Sequence, residues 1–399
     1  MRRAHDLPRL VVTASTMTTA CGVGWAAQRA AVRDGRGGLR ANDFEPAAGL
    51  ETWIGRVDGL EGLPLDGELA RYDCRNHRLA RLAAEQDGFA RAVRGAAARY
   101  GALRIGLFVG TSTSGILDTE LATRRQGARG PWRFDSDHYR YRHSMAAPAR
   151  FLRELLGVAG VSATVSTACS SSAKVFAMAQ RSIAAGQCVA AVVAGVDSLA
   201  LSTLHGFRAL QLLSKRPCRP FGADRDGLSI GEAAGFALLE REGAGAVALI
   251  GTGESSDAFH MSSPPPGGDG AQMAIRAALA AAGLAPGDID YVNMHGTGTP
   301  ANDAAEAAGV VAVLGEAVPC SSTKGLTGHA LGAAGIVEAL FALDAIASGS
   351  IPGNVGDGTL DPRVPCHIER ATRPHAVRRA MSNSFGFGGS NCSLVFGAA

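Results

Sequence analysis

The chain has 399 residues, 46% of them hydrophobic and 19% charged, with 52 glycines. That composition excludes a disordered or fibrous chain, and the length allows a large buried core. A formal net charge of +3 is too small to point to nucleic acid, and eight cysteines without a CxxC spacing argue against zinc and fit a reducing compartment.

Strand-like and helix-like runs alternate along the chain, which predicts an α/β fold. Residues 10–13 read as a strand, 79–100 as one long Ala- and Arg-rich helix, and 104–110 and 161–165 as buried strands. A helix follows Cys169 to about Ala185, and 189–195 returns as an apolar strand. The second half has strands at 246–252 and 289–293 and helices at 271–282 and 335–347. Gly283 and Pro286 punctuate the first of those helices. Residues 381–384 and 392–396 flank a Gly-rich turn. The stretches 166–186 and 322–349 share a Ser/Thr turn, a chemically active residue and an Ala-rich helix, which reads as a diverged repeat. The expected halves are 1–245 and 246–399. The N-terminal run lacks the apolar stretch of a signal peptide and no segment reads as a bilayer span, so the expectation is a cytoplasmic protein with no membrane insertion.

Cys169 lies at a predicted strand-to-helix turn among small residues, Ala168, Ser170 and Ser171. The unpaired N–H groups of a helix start favour thiolate over thiol, and a thiolate is the nucleophile that takes an acyl group from a thioester. His295 and His329 each sit in a Gly/Thr-rich turn, unlike a histidine satisfied within an apolar core element. Neutral imidazoles in such turns can donate to a developing oxyanion. Gly386 separates Phe385 from Phe387 and Gly388 follows, which points to a mobile turn. Arginines cluster at 71, 75, 78 and 81 and again at 124, 125, 129, 133, 140 and 142; a solvated surface explains them as well as a partner does.

Four motifs then occur in order: Thr167-Ala168-Cys169-Ser170-Ser171; His295-Gly296-Thr297-Gly298-Thr299-Pro300; Lys324-Gly325-Leu326-Thr327-Gly328-His329; and Asn383-Ser384-Phe385-Gly386-Phe387-Gly388-Gly389. Arg219-Pro220-Phe221-Gly222 and Gly231-Glu232-Ala233 lie between the first and second of them. The sequence resembles the elongating, Cys-His-His branch of the β-ketoacyl-acyl-carrier-protein synthases. The resemblance implies a thiolase fold, two similar α/β halves in a five-layered α-β-α-β-α body. It implies Cys169 as the acylated nucleophile and His295 and His329 as the groups that promote malonyl decarboxylation. Lys324 would organise the histidines with Glu338 as its buried partner, and Glu306 would join that network. The N–H groups of Cys169 and Phe387 would form an oxyanion hole, Phe385 and Phe387 would gate the acyl pocket, and Thr297 and Thr299 would bind the phosphopantetheine arm. Asn293, Glu338 and Ser382 could hold a monovalent cation. Arg75, Arg78, Arg124, Arg125 and Arg208 would dock an acidic acyl carrier protein.

The resemblance implies no metal, nucleotide or flavin cofactor and expects a homodimer. Two features depart from the housekeeping pattern. Thr13 to Thr19 replaces a Gly-rich start, and Thr113 stands in the run Gly110-Thr111-Ser112-Thr113-Ser114, where relatives line the acyl pocket. These favour a rival reading, a ketosynthase subunit of a polyketide or polyene pathway paired with a chain-length partner. A non-catalytic scaffold and a thiolase remain as further rivals. The second would need a cysteine where this chain has Phe387-Gly388-Gly389.

Overall fold

The computed structural model describes residues 7–127, 135–356 and 358–399; Arg129 and Arg133 of the second arginine cluster lie outside them. Two stretches of the chain build the same sheet. In the first, strands Leu10–Thr19, Ile105–Gly110, Ser162–Val165, Ala190–Asp197 and Ala233–Glu240 stand side by side in the order third, second, fourth, fifth, first. In the second, Val247–Ser256, Tyr291–Asn293, Pro319–Ser321, Arg379–Gly386 and Ser390–Ala398 repeat that order, with the short strand His367–Ile368 added at the edge. Directions agree as well. The second strand runs parallel to the third and fourth, and the fifth runs antiparallel to the fourth and first. The two first strands pair at Leu10 with Leu249 and Val11 with Ala248, so the halves share one continuous sheet.

Parallel strands covered on both faces read as unbroken apolar runs. Ile105–Gly110 and Ala190–Asp197 are buried at every position. Helices Ser171–Ala184 and Ala334–Ser348 lie between the halves of the sheet, in one core with residues from both. Their backbones approach so closely that a Cβ at Gly335 would fall 2.5 Å from the Ala173 nitrogen. Helices Arg75–Ala84, Phe89–Tyr100 and Ala147–Leu156 cover the outer face of the first half, and Asp269–Ala282 and Pro300–Leu314 cover that of the second. The layers are those of the expected five-layered thiolase-type body.

Two expectations change. The single helix at 79–100 is two helices, broken at Asp87 (φ 51°) and Gly88 (φ 74°). At the break the Asp87 carboxylate accepts from Thr16 Oγ1 and the Trp25 N–H. The first strand extends to Thr19, well past the short run expected, because its threonines are buried along with its apolar residues. Among the described residues, one stretch, Leu331–Ser348, is long and apolar enough to cross a membrane; 83% of it is buried inside the fold, as its place in the middle layer requires.

Candidate active site

Cys169 follows strand Ser162–Val165 and stands two residues before helix Ser171–Ala184. Ala168 holds a φ of 52°, a left-handed turn that small neighbours permit. His329 occupies the corresponding turn of the second half, between strand Pro319–Ser321 and helix Ala334–Ser348. Its Nε2 lies 3.0 Å from the Cys169 Sγ. His295 follows strand Tyr291–Asn293, and its ring stands edge-on to that of His329 with centroids 5.2 Å apart. The sulfur and the two imidazoles bring donor atoms within 4.8 Å of one another, and all three residues are buried.

Beneath them lies a buried ion pair. Lys324 is 1% exposed, and its ammonium meets the Glu338 carboxylate, the His295 carbonyl and, at 3.3 Å, His295 Nδ1. An ammonium has three donors and no acceptor, so three acceptors complete it. His295 Nδ1 must then accept, which leaves the ring proton on Nε2. That nitrogen is therefore a donor, suited to an oxyanion rather than to a metal ion. Burial and the Lys324 charge hold both histidines well below the ordinary imidazole range, so both are neutral. Glu306 accepts from the His295 and Gly296 N–H groups at 2.7 Å each, and Asp303, one turn earlier on helix Pro300–Leu314, accepts from the Thr297 and Gly298 N–H groups. Two carboxylates of one helix thus fix the loop that carries His295.

The Cys169 thiol departs from the helix-start expectation. Burial pushes it up to about 12, and the nearby Lys324 charge and the Phe387 N–H only partly offset that. It rests as a thiol, and its proton must go to a base; the neutral His329 imidazole is in contact with it.

A cavity of about 320 Å³ opens onto this group. Cys169, His295 and His329 line its base, and Thr297, Thr299, Phe385 and Phe387 line its wall. The two threonine hydroxyls are linked at 2.8 Å. Gly386 passes directly over the nucleophile turn: a Cβ there would lie 2.9 Å from the Thr167 carbonyl oxygen. Phe387 packs on Phe207, which sequence reading did not single out, at 5.5 Å. Pro264 also lines the cavity.

Other predicted residues fall elsewhere. Thr113 is buried outside the cavity lining, and its hydroxyl donates to Asp197. Arg75 is not a rim charge. Its side chain is 8% exposed and clamped to the fully buried Glu232 at 2.6 Å, because a carboxylate buried there needs a partner. Arg78 is tied to Asp73 by two bonds of 2.6 Å. Arg124, Arg125 and Arg208 are exposed.

Residues 78–244 match the family described as Beta-ketoacyl synthase, N-terminal domain, and 247–356 match Beta-ketoacyl synthase, C-terminal domain. The 3-oxoacyl-[acyl-carrier-protein] synthase 2 of Staphylococcus aureus is 31% identical over 86% of this chain and 96% of its own length. The chain belongs to the β-ketoacyl synthase family. The Vibrio cholerae 3-oxoacyl-[acyl-carrier-protein] synthase 2 is 36% identical over 74% of this chain and 76% of its own. Among solved structures, a ketosynthase (ApeO) in complex with its chain length factor (ApeC) from Xenorhabdus doucetiae superposes with a TM-score of 0.89, at 37% identity over 98% of each chain. Members of the β-ketoacyl synthase family are condensing enzymes, so this chain is an acyltransferase-type enzyme.

Proposed function

We propose that the chain is a 3-oxoacyl-[acyl-carrier-protein] synthase that moves an acyl group onto Cys169 and condenses it with malonyl-acyl carrier protein by decarboxylation. The observation that carries this reading is the 3.0 Å contact of His329 Nε2 with Cys169 Sγ, beside a His295 whose Nε2–H is fixed as a donor.

In this mechanism His329 takes the thiol proton as Cys169 attacks the acyl thioester, and the thiolate of the carrier's arm departs. The N–H groups of Cys169 and Phe387 hold the oxyanion of that step. Loss of carbon dioxide from malonyl thioester then leaves an enolate, whose oxygen the His295 Nε2–H stabilises with help from a His329 N–H. The enolate carbon attacks the acyl thioester carbonyl, and the Cys169 thiolate leaves and recovers its proton from His329. Lys324 and Glu338 hold the tautomer of His295. Thr297 and Thr299 bind the phosphopantetheine arm. Phe387 and Phe385 close the cavity.

Asn293 and Ser382 pair across adjacent strands, and Asn293 Oδ1 and Ser382 Oγ are buried oxygens without hydrogen-bond partners. With the Glu338 charge nearby, this fits a monovalent cation that would brace the site. Arg124, Arg125 and Arg208 would meet an acidic acyl carrier protein. The half-buried edge strand Ser162–Val165 leaves the sheet open for a second, similar chain, consistent with a homodimer. The setting would be the cytoplasm.

The second reading is a ketosynthase subunit of a specialised polyketide or polyene pathway with a chain-length partner. Likeness over 98% of the length to a ketosynthase solved with its chain length factor favours it. Incubation with acyl- and malonyl-carrier proteins, followed by mass analysis of products, tests the main reading. A 3-oxoacyl product two carbons longer supports it, and absence of any condensation product with every primer would sink it. Co-purification with a homologue lacking the cysteine decides for the second.

A further inference from the structure

Among the non-glycine residues with a positive φ, three lie on the turns that carry or adjoin Cys169 and His329: Ser114 (48°), Ala168 (52°) and Leu331 (52°). Side chains disfavour that conformation, and it persists only where the surroundings impose it. Ala168 immediately precedes Cys169. Leu331 follows His329 by two residues. Ser114 ends the turn after strand Ile105–Gly110. One carboxylate reaches the last two of these turns.

Asp197 ends strand Ala190–Asp197 and is fully buried. Its Oδ1 accepts from Thr111 Oγ1 (2.6 Å), the Thr113 N–H (2.9 Å) and Thr113 Oγ1 (2.8 Å). Its Oδ2 accepts from Ser112 Oγ and the Gly332 N–H, both at 2.6 Å, and the Ser112 N–H reaches both oxygens. Each of these donors is neutral, and an ionised carboxylate offers only acceptors, so the match is complete. Packing at the junction is equally tight. A Cβ on Gly332 would fall 2.6 Å from the Ser112 nitrogen and 2.7 Å from Asp197 Oδ2.

The two turns lead to opposite sides of the site. Gly110, at the head of the first, lies against the start of the helix after Cys169; a Cβ there would be 2.4 Å from the Ser172 nitrogen. Gly332 lies three residues after His329, whose own N–H is held by the Ser229 carbonyl at 2.8 Å. Asp197 therefore spans from the cysteine side to the histidine side with a single group.

We infer that Asp197 is a positioning residue for the Cys169–His329 pair: by gripping the 111–113 turn and the Gly332 N–H together, it fixes the approach of the imidazole to the thiol. Naming the reaction rests on the ketosynthase reading, but the geometry does not.

Asp197→Asn replaces one acceptor oxygen with an NH₂ that faces only donors. Three measurements separate positioning from mere folding. They are the rate constant for alkylation of Cys169 by iodoacetamide, kcat and KM for self-acylation from a small acyl thioester, and the thermal midpoint. In folded Asp197→Asn, alkylation and kcat should each fall by on the order of 10- to 100-fold, with KM changed less than about twofold. Wild-type alkylation and kcat, or a loss confined to KM, overturns the inference. Should that variant not fold, Ser112→Ala removes a donor to Oδ2 and loosens the same Gly332 junction. Its kcat and alkylation rate should fall in step, and an unchanged kcat overturns the inference. An enzyme that is alkylated at Cys169 but condenses nothing would refute the functional reading and leave this test intact.

Discussion

His329 Nε2 is in contact with Cys169 Sγ at 3.0 Å, and the thiol it faces is held up to about 12 by burial. On the proposed mechanism, that imidazole takes part in activating the nucleophile. Sequence reading assigned both histidines mainly to the malonyl half-reaction. The proposed mechanism instead divides their work, because His329 and not His295 is in contact with the sulfur.

Cys169→Ala should abolish acyl-enzyme formation and condensation. Among the described residues, no other cysteine lines the cavity with the two histidines. Intact-mass analysis after incubation with an acyl thioester checks this; an acyl adduct on the variant would show that the nucleophile is elsewhere.

His295→Ala and His329→Ala should each slow condensation by on the order of 10²-fold or more, as loss of an oxyanion donor does. They should differ in the first half-reaction. His329→Ala loses the base and acylates slowly, whereas His295→Ala, which does not touch the sulfur, still acylates. Single-turnover acylation measured beside condensation separates the two roles. Equal acylation rates would reject the division.

Lys324→Met leaves the Glu338 carboxylate buried without its partner, and removing one member of such a pair costs about 3–5 kcal/mol. Lys324→Met/Glu338→Leu should recover much of that stability and none of the activity, because the His295 tautomer is no longer held. Urea unfolding and condensation assays on both variants test this. A double variant as unstable as the single one argues against the pair.

Glu306 carries a pH signature. Burial pushes its carboxyl up to about 8, above its ordinary value of 4.5. The folded chain therefore binds an extra proton between those values, and this residue's contribution to stability falls as pH rises through that window. Glu306→Gln removes the titration, so its urea midpoint should vary less with pH over that range. Parallel pH dependences in wild type and variant would assign the slope to other groups.

Carrier docking should follow exposure. Arg124→Glu/Arg125→Glu should raise the KM for carrier-bound substrate, an effect that shrinks with salt, and should leave self-acylation from a small thioester unchanged. Arg75→Glu should instead lower the thermal midpoint, since it places a second negative charge against the buried Glu232. Equal losses with both substrates for the Arg124/Arg125 variant would remove the docking patch.

Much of the candidate site was legible because several candidate residues carry their own local signatures. Cys169 has its small-residue turn, and His295 and His329 have their Gly/Thr turns. Glu338 was named only through the family resemblance, since its helix also carries Asp344 and no local signature sets the two apart. Asp197 left a fainter sign, an acidic residue closing an apolar strand run, and nothing nearby in sequence names its partners at 111–113 and 332. Arg75 was misread for the same reason. Its neighbours in sequence are surface-like, and the buried Glu232 that claims it is 157 residues away. The break at Asp87 and Gly88 lay inside a run whose Ala-rich composition suits helix on both sides.

The repeated strand order places the Cys169 turn and the His329 turn at matching points of the two halves, each between a third strand and a middle-layer helix. Two identical copies associating by symmetry would put the same residue type at both points, two thiols or two imidazoles. Halves that differ in sequence can place a thiol at one point and an imidazole at the other, as this chain does. The proposed nucleophile and its proposed base thus come one from each half, and neither half alone holds the Cys169–His329 contact.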